Sequence, residues 1–157
     1  MKVSLISIGK TKQAHILDGL KFYQKRLGHY VNYNMLELPD EKHTGKLSKN
    51  EQKRKEASRL LKHCPDASFV VALDEHGKDL SSVAFANWIQ KRMNSGTRDL
   101  IFLIGGAYGH GEQVLKRANF NFSMSSLTFP HDLIRLLFSE QLYRAMTILK
   151  NEPYHHK

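Results

Sequence analysis

The chain has 157 residues, with 24 basic against 15 acidic side chains and a formal charge of +9 when its nine histidines are neutral. That length suits one domain with one core, expected to span residues 1–157. A lone cysteine, Cys64, excludes an internal disulfide or a cysteine-based metal cluster and, preceding Pro65, reads as a small buried side chain; His155 and His156 followed by Lys157 do not make a metal site either, so no metal is expected. No 18-residue apolar run reads as a membrane span and no signal peptide is legible, so a cytosolic protein is expected, with no membrane contact.

Val3 to Ile8 reads as a first strand, broken by Gly9 before a helix with Ile16, Leu20, Tyr23 and Leu27 on one stripe and Gly28 at its end. Lys21, Lys25 and Arg26 fall off that stripe, towards solvent or RNA. Val31 to Leu38 is a second strand, ended by Pro39-Asp40. Eight Lys or Arg residues between Lys42 and Lys62, against Glu51 and Glu56, form either a solvated helix face or a surface that tracks phosphates. Ser48 with Glu51 three residues on is a capping-box signature, so this helix is predicted from Ser48 to His63.

Phe69 to Leu73 is a short apolar third strand, ending at Asp74-Glu75-His76-Gly77-Lys78, with its tip expected near Gly105. Val83 to Met93 is a helix with Ser81 or Ser82 as cap, Gly96 as stop and Trp88 in the core. Leu100 to Ile104, five consecutive large apolar residues, suits a parallel strand covered on both faces. Glu112 to Ala118 is a short helix with its acid in the first turn, Phe120 to Ser125 is a fifth strand, and Leu133 to Lys150 is a long helix. Strand and helix alternate throughout, which predicts an α/β layered fold with a mainly parallel sheet and helices on both faces. The last helix is apolar on two sides, with Leu133, Leu136 and Leu137 on one and Ile134, Phe138, Leu142 and Leu149 on the other. Such a helix predicts an interface, most simply in a symmetric homodimer.

The run GGAYGHG after the fourth strand places glycines at 105, 106, 109 and 111, which let a backbone approach a ligand closely at the tip of a parallel strand. It lacks the G-x-G-x-x-G spacing, and no clear ribose-binding acid ends the next strand, which argues against an ordinary dinucleotide enzyme. A sulfonium cofactor needs backbone groups for an adenine edge, apolar walls and no strongly cationic neighbour. Leu73, Gly105 and the stretch Met124, Ser125, Ser126, Leu127, Thr128, Phe129 could supply these, or the hydroxyls could merely tie a tight loop that Pro130 rigidifies. His131 suits acid–base work or a helix cap, and Arg135 could hold a phosphate, orient a base or be structural. The tail from Asn151 to Lys157 offers Tyr154 as a stacker beside His155 and His156, or frays as termini do.

The string LIGGAYG, then FSMSSLTFPHDLIRLLFSEQLYRA and a tail in PYHH, together with VSLISIGKTK, KFYQKRLGHY, ELPDEK and VALDEHGK, resembles the ribosomal large-subunit methyltransferase H family. The resemblance covers nearly the whole chain. That family is a minimal branch of the SPOUT methyltransferases, whose S-adenosylmethionine pocket is formed by a C-terminal trefoil knot. It implies methylation of N3 of a pseudouridine in the helix 69 loop of 23S ribosomal RNA, within the assembled ribosome. By the same resemblance Leu73, Gly105 and the Met124–Phe129 loop line the cofactor pocket. His131, Arg135, Tyr154 and His155 are the candidates for contact with the reacting base, the last two from the partner subunit of a homodimer. A non-catalytic RNA-binding protein built on the basic helix, or a nucleotide-binding enzyme acting on small molecules, are the rival classes; the second leaves the basic excess unexplained.

Overall fold

The computed structural model describes residues 1–40 and 47–156. Lys42 and Lys46 of the basic run, Glu41 of the ELPDEK string and Lys157 lie outside the described residues.

Five strands and five helices alternate: β1 (Lys2–Ile8), α1 (Ala14–Leu27), β2 (Asn32–Leu38), α2 (Lys49–Leu61), β3 (Phe69–Asp79), α3 (Ser82–Asn94), β4 (Asp99–Ile104), α4 (Glu112–Arg117), β5 (Phe120–Ser123) and α5 (His131–Leu149). The strands form one parallel sheet in the order β2-β1-β4-β3-β5. Strand alternation divides the core in two. Val3, Leu5, Leu100, Phe102 and Phe122 point to the side covered by α1, α3 and α5; Ile6, Ile8, Val70, Ala72, Ile101 and Leu103 point to the side covered by α2 and α4. Both faces are therefore dry, which is why the central strands read as continuous apolar runs.

Local chemistry sets the helix limits. Ser48 accepts a hydrogen bond from the Glu51 amide, and the Glu51 carboxylate accepts one from the Ser48 amide, so the capping box opens α2, which ends at Leu61 rather than His63. Ser81 caps α3, and Gly96 follows with a left-handed φ of 73°. Trp88 is half-buried, packed edge-on to Phe69 and stacked with Phe120.

Beyond shifts of a few residues at other element ends, such as β5 stopping at Ser123 rather than Ser125, two elements depart from the sequence reading. β3 continues beyond Leu73 to Asp79, and its pairing with β5 shifts register between Leu73 and Lys78. The polar stretch carries no apolar alternation, and Gly77 permits it: a Cβ there would lie 2.7 Å from the backbone of Asn121 and Phe122. The second departure is α5, whose two apolar sides are largely explained inside one chain. It lies between α1 and α3 over the sheet, with Phe138 wholly buried 4.5 Å from the Phe102 ring and Leu136 against Gly19 of α1. Leu133, Ile134, Leu136, Leu137 and Leu149 remain half-buried.

Candidate active site

Parallel strands all end at one edge of the sheet, and two cavities open there. The first, of about 370 Å³, lies at the tips of β4, β3 and β5. Its apolar wall comes from Leu73, Ile104, Met124, Leu127, Phe129 and Ile134. The turn after β4, residues 105–110, forms its floor and rim, and Ser125, Thr128 and His131 add polar groups. Seven of the eight residues expected to bind a cofactor line this cavity: Leu73, Gly105, Met124, Ser125, Leu127, Thr128 and Phe129. Ser126 is exposed and outside the lining.

The strand register brings these pieces together. Leu73 is paired with Ile104, so the end of β3 sits beside the start of the glycine turn, as its sequence position suggests. The turn folds back on itself: Gly106 and Gly109 form a bridge, and Gly109 has a φ of 77°. Gly105 is needed for this closure rather than for open space facing a ligand. A Cβ on it would lie 2.8 Å from the carbonyl group of Gly109 and 3.0 Å from the His110 nitrogen. Gly106 is packed against the Glu56 carboxylate of α2 and Gly111 against the Lys53 carbonyl, so the turn is clamped onto α2 as well.

His110 is a site residue that sequence reasoning missed, hidden in a glycine-rich stretch with no pattern of its own. It is 4% exposed, lines the cavity and bonds through Nε2 to the Leu73 carbonyl at 3.0 Å, while Nδ1 has no hydrogen-bond partner. Burial pushes its pKa down, against the opposing pull of the Leu73 and Leu103 carbonyls and of Asp74. The ring is therefore neutral at pH 7. Tyr108, Asp74 and Glu75 also line the cavity. Among the described residues, Asp74 and Glu75 are the only charged groups of fixed sign that line it, and no Lys or Arg does. A sulfonium nucleoside fits such a wall: apolar surfaces, exposed backbone groups, a buried nitrogen without a partner and no opposing cation.

The second cavity, of about 220 Å³, lies at the tips of β2, β1 and β4, and shares Gly106, Ala107 and His131 with the first. Arg135 lies on its wall but is 1% exposed and deeply engaged. It donates to the Ile8 carbonyl and to Thr11 Oγ1, both at 2.7 Å, and to Glu37 at 3.1 Å and Asp132 at 3.4 Å. Thr11 in turn is bonded to Glu37. The arginine thus joins the end of β1, β2 and the start of α5, a structural duty among the alternatives read from sequence. His131 does not cap α5: Pro130 stands at the cap, His131 is the first helical residue, and Asp132 accepts the Lys12 amide. Its ring is left at the boundary of the two cavities.

Tyr154 and His155 line neither cavity of their own chain. The Tyr154 hydroxyl donates to Glu140 at 3.1 Å and lies 3.3 Å from that of Tyr23, its ring is edge-on to Tyr143, and the Arg144 guanidinium covers its face. His155 lies 3.5 Å from Arg144. Cys64 is buried, and burial pushes its thiol pKa up, as befits an inert core side chain. Among the described residues no group of three or more His, Cys, Asp or Glu is placed to hold a metal ion, and no helix is long and apolar enough to cross a membrane.

Comparison with known proteins agrees with this geometry. A family model described as "Predicted SPOUT methyltransferase" matches residues 1–155. Proteins named ribosomal RNA large subunit methyltransferase H are similar over the full length of both chains, at 50% identity in Christiangramia forsetii and 44% in Parabacteroides distasonis. Among solved structures, a probable methylase family protein from Haemophilus influenzae Rd KW20 superposes with a TM-score of 0.55 at 10% identity, over 99% of this chain and 70% of that one, and so shares the fold. This chain belongs to the SPOUT methyltransferase family.

Proposed function

We propose that this protein is an S-adenosylmethionine-dependent methyltransferase that methylates N3 of a pseudouridine in the helix 69 loop of 23S ribosomal RNA, with the assembled ribosome as substrate. The observation that carries the reading is the first cavity, whose wall, among the described residues, has apolar and backbone surfaces and two acids but no Lys or Arg. The full-length similarity to proteins named for methylation of large-subunit ribosomal RNA supports the choice of RNA. A purely RNA-binding role leaves that cavity unexplained. The reading also carries a single domain over residues 1–157, the family's C-terminal knot and a cytoplasmic location, where ribosomes are found.

When bound, the cofactor supplies an electrophilic methyl group on sulfur. The chain's own contribution is alignment and exclusion of water. Leu73, Met124, Leu127 and Phe129 cover the cavity, backbone groups of the 105–110 turn and the 124–129 loop face it, and neutral His110 offers a buried nitrogen. We assign His131, which lines both cavities, as the side chain that takes the N3 proton.

The working form is a homodimer. Supporting it, Leu127 on the cofactor loop is 68% exposed, and Leu133 and Leu137 remain half-buried on α5. Tyr154 and His155, far from filling their own chain's cavities, are held on α5 where a partner's cavity can meet them. Mass-spectrometric mapping of the helix 69 loop, in ribosomes from cells with and without the gene and after treatment with the pure enzyme, tests the reaction. One methyl group on N3 of a pseudouridine is expected only where the enzyme is present; an unchanged loop would refute the assignment.

A further inference from the structure

Resting on that reading, we propose that the second cavity is the acceptor site, taking one flipped-out pyrimidine nucleotide with its adjoining phosphate. Methyl transfer requires the acceptor atom in line with the donor, so the two ligands must occupy cavities that communicate. Here the two cavities adjoin: the first spans the tips of β4, β3 and β5, the second those of β2, β1 and β4, and they share the lining residues Gly106, Ala107 and His131. The smaller cavity has room for one ring rather than for a whole cofactor.

The lining chemistry of the two differs in the sense that donor and acceptor require. Among the described residues the first wall carries no Lys or Arg, whereas the second carries Lys10 and Lys12, both exposed, where they can meet a phosphate. Asp40, on the same wall, makes no hydrogen bond or ion pair among the described residues, and its carboxylate offers an acceptor for the ring N1–H of a pseudouridine, which leaves N3 for the transfer. Asp132 is already engaged by the Lys12 amide and by Arg135. Buried Arg135 holds a further Nε–H without a partner on that wall. A base drawn out of a loop needs a snug pocket with a few fixed polar groups and a cationic rim, and this cavity has both.

The test uses the full-length enzyme on ribosomes, with two variants: the double substitution Lys10→Gln with Lys12→Gln, and Asp40→Leu. Calorimetry with S-adenosylmethionine is the control, and both variants should bind it within about twofold of the unaltered protein, since neither touches the first cavity. The lysine variant should raise KM for ribosomes at least about tenfold and lower the slope of log affinity against log salt by about one per lysine. Asp40→Leu should reduce kcat/KM about tenfold with an unchanged salt slope, as expected for the loss of one charge-assisted hydrogen bond. Variants that bind cofactor normally and match the unaltered enzyme in KM, kcat/KM and salt slope would overturn the acceptor site while leaving the methyltransferase reading intact. Failure of the unaltered protein to bind cofactor or methylate ribosomes would instead defeat that reading.

Discussion

The two ends of α5 are built from similar residue types and are put to different use. At its N-terminal end a cation, two acids and an imidazole gather at the chain's own cavities, and Arg135 is so enclosed that it fixes three elements relative to one another. At its C-terminal end another cation, acid and imidazole, Arg144, Glu140 and His155, gather around Tyr154 and stay away from both cavities. The middle, around Phe138 and Leu142, is ordinary core. One helix thus carries a rigid cluster at one end and a preassembled, half-exposed aromatic cluster at the other, and the proposed homodimer is the arrangement in which both would serve one reaction.

The comparison can be broken at several points, the most damaging first. Phe138→Glu puts a carboxylate under the sheet, and the protein is expected to lose about 4 kcal/mol or more and to unfold, as read by urea denaturation. Phe138 therefore tests the core and not the dimer, although its place in an apolar helix suggests either. Arg135→Met strands Glu37 and Asp132 beside an unmatched Ile8 carbonyl and is expected to cost about 3 kcal/mol. A fully stable variant would show that the N-terminal cluster does not fix the site. Gly105→Val forces the turn open against Gly109, costing about 1–3 kcal/mol in stability and abolishing cofactor binding in calorimetry. Retained binding would place the cofactor elsewhere.

Smaller effects sharpen the contrast. Removing Pro153 to Lys157 should cost about 1 kcal/mol, from the contacts of Tyr154 with Glu140 and Tyr143, leave cofactor affinity unchanged and abolish methylation of ribosomes. The smallest expected effect is on pH dependence. Burial holds His110 below its ordinary value of 6.5, so the folded ring stays neutral while the unfolded one takes a proton as pH falls. Its contribution is complete above about pH 6.5 and is lost as pH falls towards the depressed folded value. His110→Gln keeps a donor for the Leu73 carbonyl without the titration, so the loss of stability between about pH 7 and about pH 5 should be shallower in the variant.

What was legible in the sequence follows the same division. Strands β1 and β4 and helices α1 and α3 are visible because apolar periodicity and caps act locally, and the Ser48–Glu51 box opens α2 where its spacing says. The residues of the Gly105 turn and the Met124–Phe129 loop read either as a cofactor site or as a tight loop tied by its hydroxyls, and it is the family resemblance that favours the first; both segments line the first cavity. Three features were not legible. The continuation of β3 depends on a cross-strand approach at Gly77 that no local pattern encodes. His110 gains its character from burial against strands distant in sequence, and the second cavity joins Gly9, Asp40 and Arg135, which only the fold makes neighbours.

The central claim, that the tail of one subunit serves the cavity of the other, is tested most directly by mixed dimers. One subunit carries Gly105→Val and the other lacks Pro153 to Lys157, each with its own affinity tag, and dimers bearing both tags are assayed on ribosomes. Each homodimer should be inactive, while the mixed dimer keeps one intact cavity facing one intact tail and should recover up to about half the activity of the unaltered dimer. Mixed dimers that form but remain as inactive as their parents would contradict the claim.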